Sequence, residues 1–273
     1  MQVVSASQAG MAGKANEDWL YADQNLIVVL DGATARTDTG CIHGVSWYAE
    51  RLGSALQEFS ADRGRSLQAA LRDSIQRVAS FHSECDLTHP GSPSAAVGIV
   101  RLGESLEYLV LGDVSLAIAN GEAISVVTDP RVSATARAAR EEADRHLIGT
   151  PEKQAALLRM KAGELAAKNH EGGYWIATSE PSGVEHALTG AVPLAGIRDV
   201  AVLTDGSARL VDLFADTDWA GVFAALRSGQ GPTALIERTR ELEDSDPVGQ
   251  QWPRNKKSDD ASIVYAILGP PEE

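Results

Sequence analysis

Residues 25–40 read NLIVVLDGATARTDTG. Leu26 to Leu30 is an unbroken apolar run, the pattern of a buried strand. It stops abruptly at Asp31-Gly32, and small residues follow instead of a second strand. A turn would explain the dipeptide, because Asp-Gly is a common turn pair. A site would explain it too: a carboxylate delivered by a strand end, followed by a glycine that lets the backbone turn sharply or approach an ion closely.

Upstream, residues 19–23 form a second short strand joined to 26–31 by a turn at Asp23-Gln24-Asn25. Downstream the period changes to that of helices. Val45, Tyr48, Leu52, Ala55, Leu56 and Phe59 recur at spacings of three and four across 44–61, and Leu67, Leu71, Ile75, Val78 and Phe81 do so across 66–83. Short β-rich runs follow, AAVGIVRLG, LEYLVLGD, VSLAIANG and AISVVTD, with hairpin turns at Gly103-Glu104-Ser105 and Asn120-Gly121. Residues 130–170 are Ala-rich, charged and helical in pattern, broken at Gly149-Thr150-Pro151. YWIATSE and DVAVLTDG read as two more strands, 232–243 as a helix, and ASIVYAIL as a last strand ended by Pro270-Pro271. With no internal repeat and no low-complexity linker, one domain over 1–273 is expected, an α+β arrangement of sheet packed on sheet with helices on the outer faces.

The chain carries 38 acidic and 24 basic residues, a formal net charge of −14. Such a balance argues against nucleic-acid binding, which needs a basic face for the phosphates. It leaves phosphate chemistry open, because bound cations invert the local field. No apolar run is long enough to span a membrane, and the N-terminus has no signal-peptide pattern, so a cytoplasmic protein is expected. Cys41 and Cys85 have no CxxC spacing, so neither a disulfide framework nor a cysteine-based zinc site is expected.

Acidic residues recur at strand ends. Glu17-Asp18 precedes one strand, Asp31 ends another in VVLDG, Asp205 ends a third in VLTDG, and Asp259-Asp260 opens the last in SDDASIVYAIL. In antiparallel sheets strand ends lie beside strand starts, so one edge can gather all of them. Gathered carboxylates repel and are driven to neutralise. A hard divalent cation, Mg²⁺ or Mn²⁺, removes the conflict through all-oxygen ligation. Two such ions roughly 3.5–4 Å apart would activate a water and clamp a phosphoryl group.

The series NED, VVLDG, LGD, VLTDG and DDAS, in that order, resembles the metal-dependent serine/threonine protein phosphatases of the protein phosphatase 2C family, from about residue 10 to 268. The resemblance implies a four-layer αββα sandwich with two Mn²⁺ or Mg²⁺ ions at one end. It implies that Asp31 bridges both ions and that the Gly32 carbonyl serves one. Glu17 would serve the second ion through water, Asp205 and Asp259 the first, with Asp18 behind them. GSPSAAVGIV resembles the family's entry to a central strand, and 130–170 falls where the family carries its variable flap. The implied substrate is a phosphoprotein or a small phosphate ester. A catalytically weak regulatory relative is the alternative.

Several accessory positions depart from the family pattern. The phosphate-gripping arginine is replaced by Gly13, and Lys14 beside it is the candidate for that role, although a lysine supplies charge without a bidentate fork. The histidine proposed elsewhere as a general acid is Ala33 here; His43 is the nearest substitute in sequence. Asp113 in LGDVS matches a family carboxylate, but Arg209 stands where many members place another acid. A third ion, which would need both, is therefore doubtful. His82, His89, His146, His170 and His186 show no ligand spacing and read as structural or surface residues.

Overall fold

A computed structural model describes residues 2–121 and 123–269. The expected Pro270-Pro271 terminator lies outside them. Two five-stranded antiparallel sheets stack face to face. The first orders β2 (Trp19–Ala22), β3 (Leu26–Gly32), β4 (Ala95–Leu102), β5 (Ser105–Leu111) and β8 (Leu188–Pro193) as β2-β3-β4-β5-β8. The second orders β1 (Gln2–Gln8), β6 (Ser115–Asn120), β7 (Ala123–Val127), β9 (Ile197–Leu203) and β10 (Ala261–Ile267) as β1-β10-β9-β6-β7.

The unbroken apolar runs follow from this stacking. In β3, Ile27 and Val29 enter the layer between the sheets, packing in one cluster with Val100, Val202 and Val264. Val28 and Leu30 point the opposite way, as alternation requires, toward Leu52, Leu56, Leu71 and Ile75. Those four lie on α1 (Val45–Ala61) and α2 (Leu67–Ala79), which cover the outer face of the first sheet. Each fully buried Leu or Ile contributes roughly 1.5–3 kcal/mol relative to exposure. On the other side α6 (Asp205–Asp212), α7 (Trp219–Arg227) and α8 (Gly231–Ser245) cover the second sheet, with Leu210, Phe223 and Ile236 packed on Ile263 and Tyr265. The result is an αββα sandwich.

The 130–170 region is helical, as its composition suggests: α3 (Arg131–Ala134), α4 (Arg137–Asp144) and α5 (Pro151–Ala167). The break at Gly149-Thr150-Pro151 is the start of α5, where the Thr150 hydroxyl accepts from Lys153 N at 3.2 Å and Pro151 fills the first helical position. A small apolar cluster, Ala143, Ala156, Leu157 and Met160, joins α4 to α5, together with ion pairs such as Arg140 to Glu164.

Two expectations are corrected. YWIATSE is not a strand; it makes only isolated bridges, Ala95 to Ala177 and Lys168 to Tyr174. The Asn169 side chain takes the place of a ladder, accepting from Ile176 N at 2.8 Å and donating to Ile176 O at 3.0 Å. Asp205 does not end its strand: β9 stops at Leu203, and Asp205 is the first residue of α6. The edge strands β1 and β8 carry no clear alternation in sequence. β1 is mostly exposed, and β8 contains Gly190 and ends in Pro193, as edge strands tolerate.

Candidate active site

The strand ends meet at one end of the sandwich, beneath α4 and α5. A cleft of about 370 Å³ opens there, with Asp31, Asp113, Asp205 and Asp259 among its lining residues. Asp31 arrives on β3, paired with Ala96 of β4. Asp205 arrives at the start of α6, and its backbone N–H donates to Asp31 Oδ2 at 3.1 Å. Asp113 follows β5, and Asp259 precedes β10.

Close backbone packing explains the two glycines. A Cβ on Gly32 would collide with the Glu17 carbonyl and, at 2.6 Å, with Val45 Cγ1; one on Gly206 would collide with the Asp260 carbonyl. The glycine after Asp31 at the end of β3 and the one after Asp205 at the start of α6 are therefore packing requirements and not merely turn residues.

The carboxyl groups are electrostatically strained. Burial pushes Asp31 well above the ordinary carboxylate range, and the charges of Asp205, Asp18, Asp113 and Asp259 add to it. Burial, then Asp205, pushes Asp113 up to about 7. Asp205 is raised by burial and by Asp259, although Arg209 and Lys256 oppose this. Asp18 is pushed up to about 8, chiefly by burial, despite accepting from Ser262 Oγ at 2.8 Å and Thr204 Oγ1 at 2.9 Å. Asp259 alone among these five is lowered: burial works against its charge, but Arg209 and Lys256 outweigh it.

Glu17 and Lys14 pair at 3.0 Å outside the cleft lining, and Thr34 Oγ1 donates to Glu17 Oε2 at 2.6 Å. Asp18 lies behind the cleft, held by Thr204 and Ser262. Asp260 serves as a clamp, its carboxylate accepting from Gly10 N at 2.8 Å and Glu17 N at 2.7 Å. Arg209 neither pairs with Asp113 nor faces solvent: it donates to Asp259 Oδ2 at 2.9 Å and to the buried Glu243 at 2.6 Å. His43 is away from the cleft lining, stacked on Trp47 with ring centroids 4.0 Å apart.

Five cations in the cleft lining were not foreseen from sequence: Arg36, Arg140, Lys161, Arg254 and Lys256. Lys256 bonds Asp259 and, at 2.9 Å, Thr34 Oγ1. Arg140 bonds Glu164 at 2.8 Å. Arg36 donates to Asn255 O at 3.4 Å, a long contact. Arg36 lies in the tail of the opening stretch, ATARTDTG, and a basic residue in a Gly- and Thr-rich loop after a strand-end Asp was the available signal.

The donor set is all oxygen at the cleft floor, and three of its carboxyls are raised, so it suits a hard divalent cation. The model of the protein phosphatase 2C family matches residues 11–238. The chain belongs to the protein phosphatase 2C family. Solved structures of the family share the fold at low identity. The serine/threonine phosphatase MsPP from Mycobacterium smegmatis, in complex with cacodylate, is 16% identical with a TM-score of 0.57, covering 98% of this chain and 99% of that one. The Mycobacterium tuberculosis serine/threonine phosphatase PstP is 14% identical with a TM-score of 0.54, covering 98% and 99%. A PstP catalytic domain in complex with 2 manganese ions is 15% identical with a TM-score of 0.52, covering 97% of each chain. No curated relative matches the sequence. Among the described residues no helix is long and apolar enough to cross a membrane.

Proposed function

We propose that the chain is a divalent-cation-dependent phosphomonoesterase acting on phosphoserine or phosphothreonine in proteins. The observation that carries this reading is the set of Asp31, Asp113 and Asp205, whose carboxyls burial and mutual repulsion raise at the floor of a cation-lined cleft. A manganese-bound family structure of the same fold supports it. Asp31, Asp205, Asp113 and the Gly32 carbonyl would hold Mn²⁺ or Mg²⁺, with Glu17 reached through water. When bound, the cations supply an activated water and neutralise phosphoryl charge. The protein's own groups do the rest. Arg36, weakly engaged at rest, offers a planar fork for two phosphate oxygens. Thr34 holds Glu17 and Lys256 in register. Asp18 orients Thr204 and Ser262 at the bases of α6 and β10. Lys14 is tied to Glu17 and positions that carboxylate, in place of gripping substrate.

One observation favours a second reading, a family member that binds phosphate with little turnover. Asp259 is occupied by Arg209 and Lys256, so cations of the chain already neutralise it. A cation can use Asp259 only after Lys256 withdraws. The deciding experiment is hydrolysis of p-nitrophenyl phosphate and of phosphopeptides with and without Mn²⁺. Turnover that requires Mn²⁺ and is abolished by EDTA is expected. Phosphopeptide binding without turnover at saturating Mn²⁺ would favour the second reading.

A further inference from the structure

Away from the acidic cleft, four side chains converge that the sequence reading left separate. Cys41, His43, His82 and Cys85 each present one ligand atom, and these atoms all lie within 4.8 Å of one another. Cys41 and His43 sit in the loop between β3 and α1; His82 and Cys85 follow the end of α2. The two pairs are distant in sequence, so no CxxC spacing announces them. The fold supplies the proximity, packing α1 against α2 and bonding Asp86 N to Gly40 O at 2.9 Å.

The spacing within the cluster is that of a tetrahedron. Zn–S bonds of about 2.3 Å and Zn–N bonds of about 2.0–2.1 Å give edges of roughly 3.8 Å between sulfurs and roughly 3.6 Å between sulfur and nitrogen. Here Cys41 Sγ and Cys85 Sγ are 3.4 Å apart, and His43 Nδ1 lies 3.7 Å from one and 3.5 Å from the other. His82 is oriented as a ligand would be. Its Nδ1 lies 2.9 Å from Val78 O, so the proton sits on Nδ1 and the Nε2 lone pair is free. Its ring meets that of His43 edge-on at 5.0 Å, and Trp47 stacks on the other. The His43 N–H points at Cys41 Sγ at 3.4 Å, a bond that stabilises a thiolate.

We propose that Cys41, His43, His82 and Cys85 bind a structural Zn²⁺ ion. Two soft sulfurs and two imidazoles select zinc over the hard ions suited to the carboxylate cleft. Four protein ligands leave no open position, so the ion is structural. Binding displaces one proton from each thiol; two thiolates, two neutral imidazoles and Zn²⁺ make an uncharged centre. The ion clips together two irregular segments, 33–44 and 80–94, that contain no helix or strand before α1 and β4 begin. The first of these carries Thr34 and Arg36 into the phosphatase cleft. The zinc therefore braces the active-site loop from its far side.

The test uses the full chain, purified under reducing conditions without added chelator and then dialysed against a weak chelator that strips the carboxylate cleft. Metal analysis is expected to find about one zinc per chain, released by a mercurial in proportion to thiol modification. Cobalt exchanged for that zinc should give thiolate charge-transfer and tetrahedral d–d absorption. Retention should fall at least ~tenfold in Cys85→Ser and in His82→Ala. If those variants fail to fold, the cobalt spectrum of the unmodified chain still decides. Zinc-free protein after reconstitution, with both thiols freely titratable or joined in a Cys41–Cys85 disulfide, would overturn the proposal. So would a cobalt spectrum of octahedral oxygen ligation.

Discussion

Substituting Asp18→Asn should stabilise the cation-free protein and flatten its dependence on pH. Asp18 is 9% exposed and is pushed from 3.8 to about 8, first by burial and then by the charges of Asp205 and Asp260. Between those limits the folded chain holds a proton that the unfolded chain has released, so stability falls as pH rises and the loss is complete near pH 8. At about 1.4 kcal/mol per pH unit, the roughly 3 units from 3.8 to neutrality correspond to about 4 kcal/mol. Asp31 and Asp113 are raised as well, so the neighbours share the titration and that figure is an upper bound for Asp18 alone. The amide preserves local bonding, because Thr204 and Ser262 both donate to a single oxygen, Oδ2. The assay is urea unfolding in EDTA at several values between about pH 5 and pH 8, wild type beside Asp18→Asn. Wild-type stability should decline across the range, with the variant above it at the alkaline end. A wild type that gains stability with pH in chelator, or an Asp18→Asn variant weaker than wild type near pH 8, would refute the reasoning.

Other outcomes follow from the same geometry. Asp205→Asn should lower kcat for p-nitrophenyl phosphate at saturating Mn²⁺ by several orders of magnitude with an unchanged circular dichroism spectrum; near-normal turnover would remove Asp205 from the reaction. Arg36→Ala should raise KM by an amount worth ~1–3 kcal/mol, the scale of a charged hydrogen bond, whereas Lys14→Ala should change it by less than ~1 kcal/mol, because that lysine is half exposed and paired to Glu17. Equal effects in steady-state kinetics would argue against assigning the phosphate to Arg36. Arg209→Gln should cost about 3 kcal/mol in urea unfolding, because it strips one partner from the buried Glu243; the loss is limited because Arg240 still holds that carboxylate at 2.8 Å. A variant as stable as wild type would show that the Arg209 pair contributes nothing.

Local patterning carried the layers well. β3, α1, α2, β4 and the run from β5 to β7 were all legible, because each is an apolar run or stripe closed by turn residues and both faces of the sheets are covered. YWIATSE misled because burial alone resembles a strand; the Asn169 side chain that replaces the ladder is distant in pattern though near in sequence. The short helices α6 and α7 were hidden by their small size and by the assumption that VLTDG ends in a turn. At the site, the carboxylates could be found because each has a fixed relation to a strand end. Lys256 could not, since nothing in RNKKSDD distinguishes the lysine that turns inward from its solvated neighbour. Arg209 was noticed as an intruder, but its partner Glu243 lies on α8, a relation only packing creates. Cys41, Cys85 and His82 were dismissed for their spacing, and His43 was weighed only as a general acid; spacing is a criterion blind to ligands supplied by two separate loops.

The pairing of β1 with β10 has a consequence for how the chain acquires its shape. β1 is an edge strand whose ladder is with β10, from Gln2 opposite Ile267 to Gln8 opposite Ala261. Residues 2–8 must await residues 261–267, a long-range closure that is slow because the intervening chain must be looped before this ladder's first bond forms. Just before β10 come Asp259 and the clamp Asp260, which seats Gly10 and Glu17. A chain clipped before Asp259 would keep every strand of the first sheet but would lose Asp259 from the cleft lining and the clamp on Gly10 and Glu17. The seat of Gly10 and Glu17, and with it the position of the carboxylate that Lys14 and Thr34 hold, is therefore set by Asp260, 250 and 243 positions away in sequence.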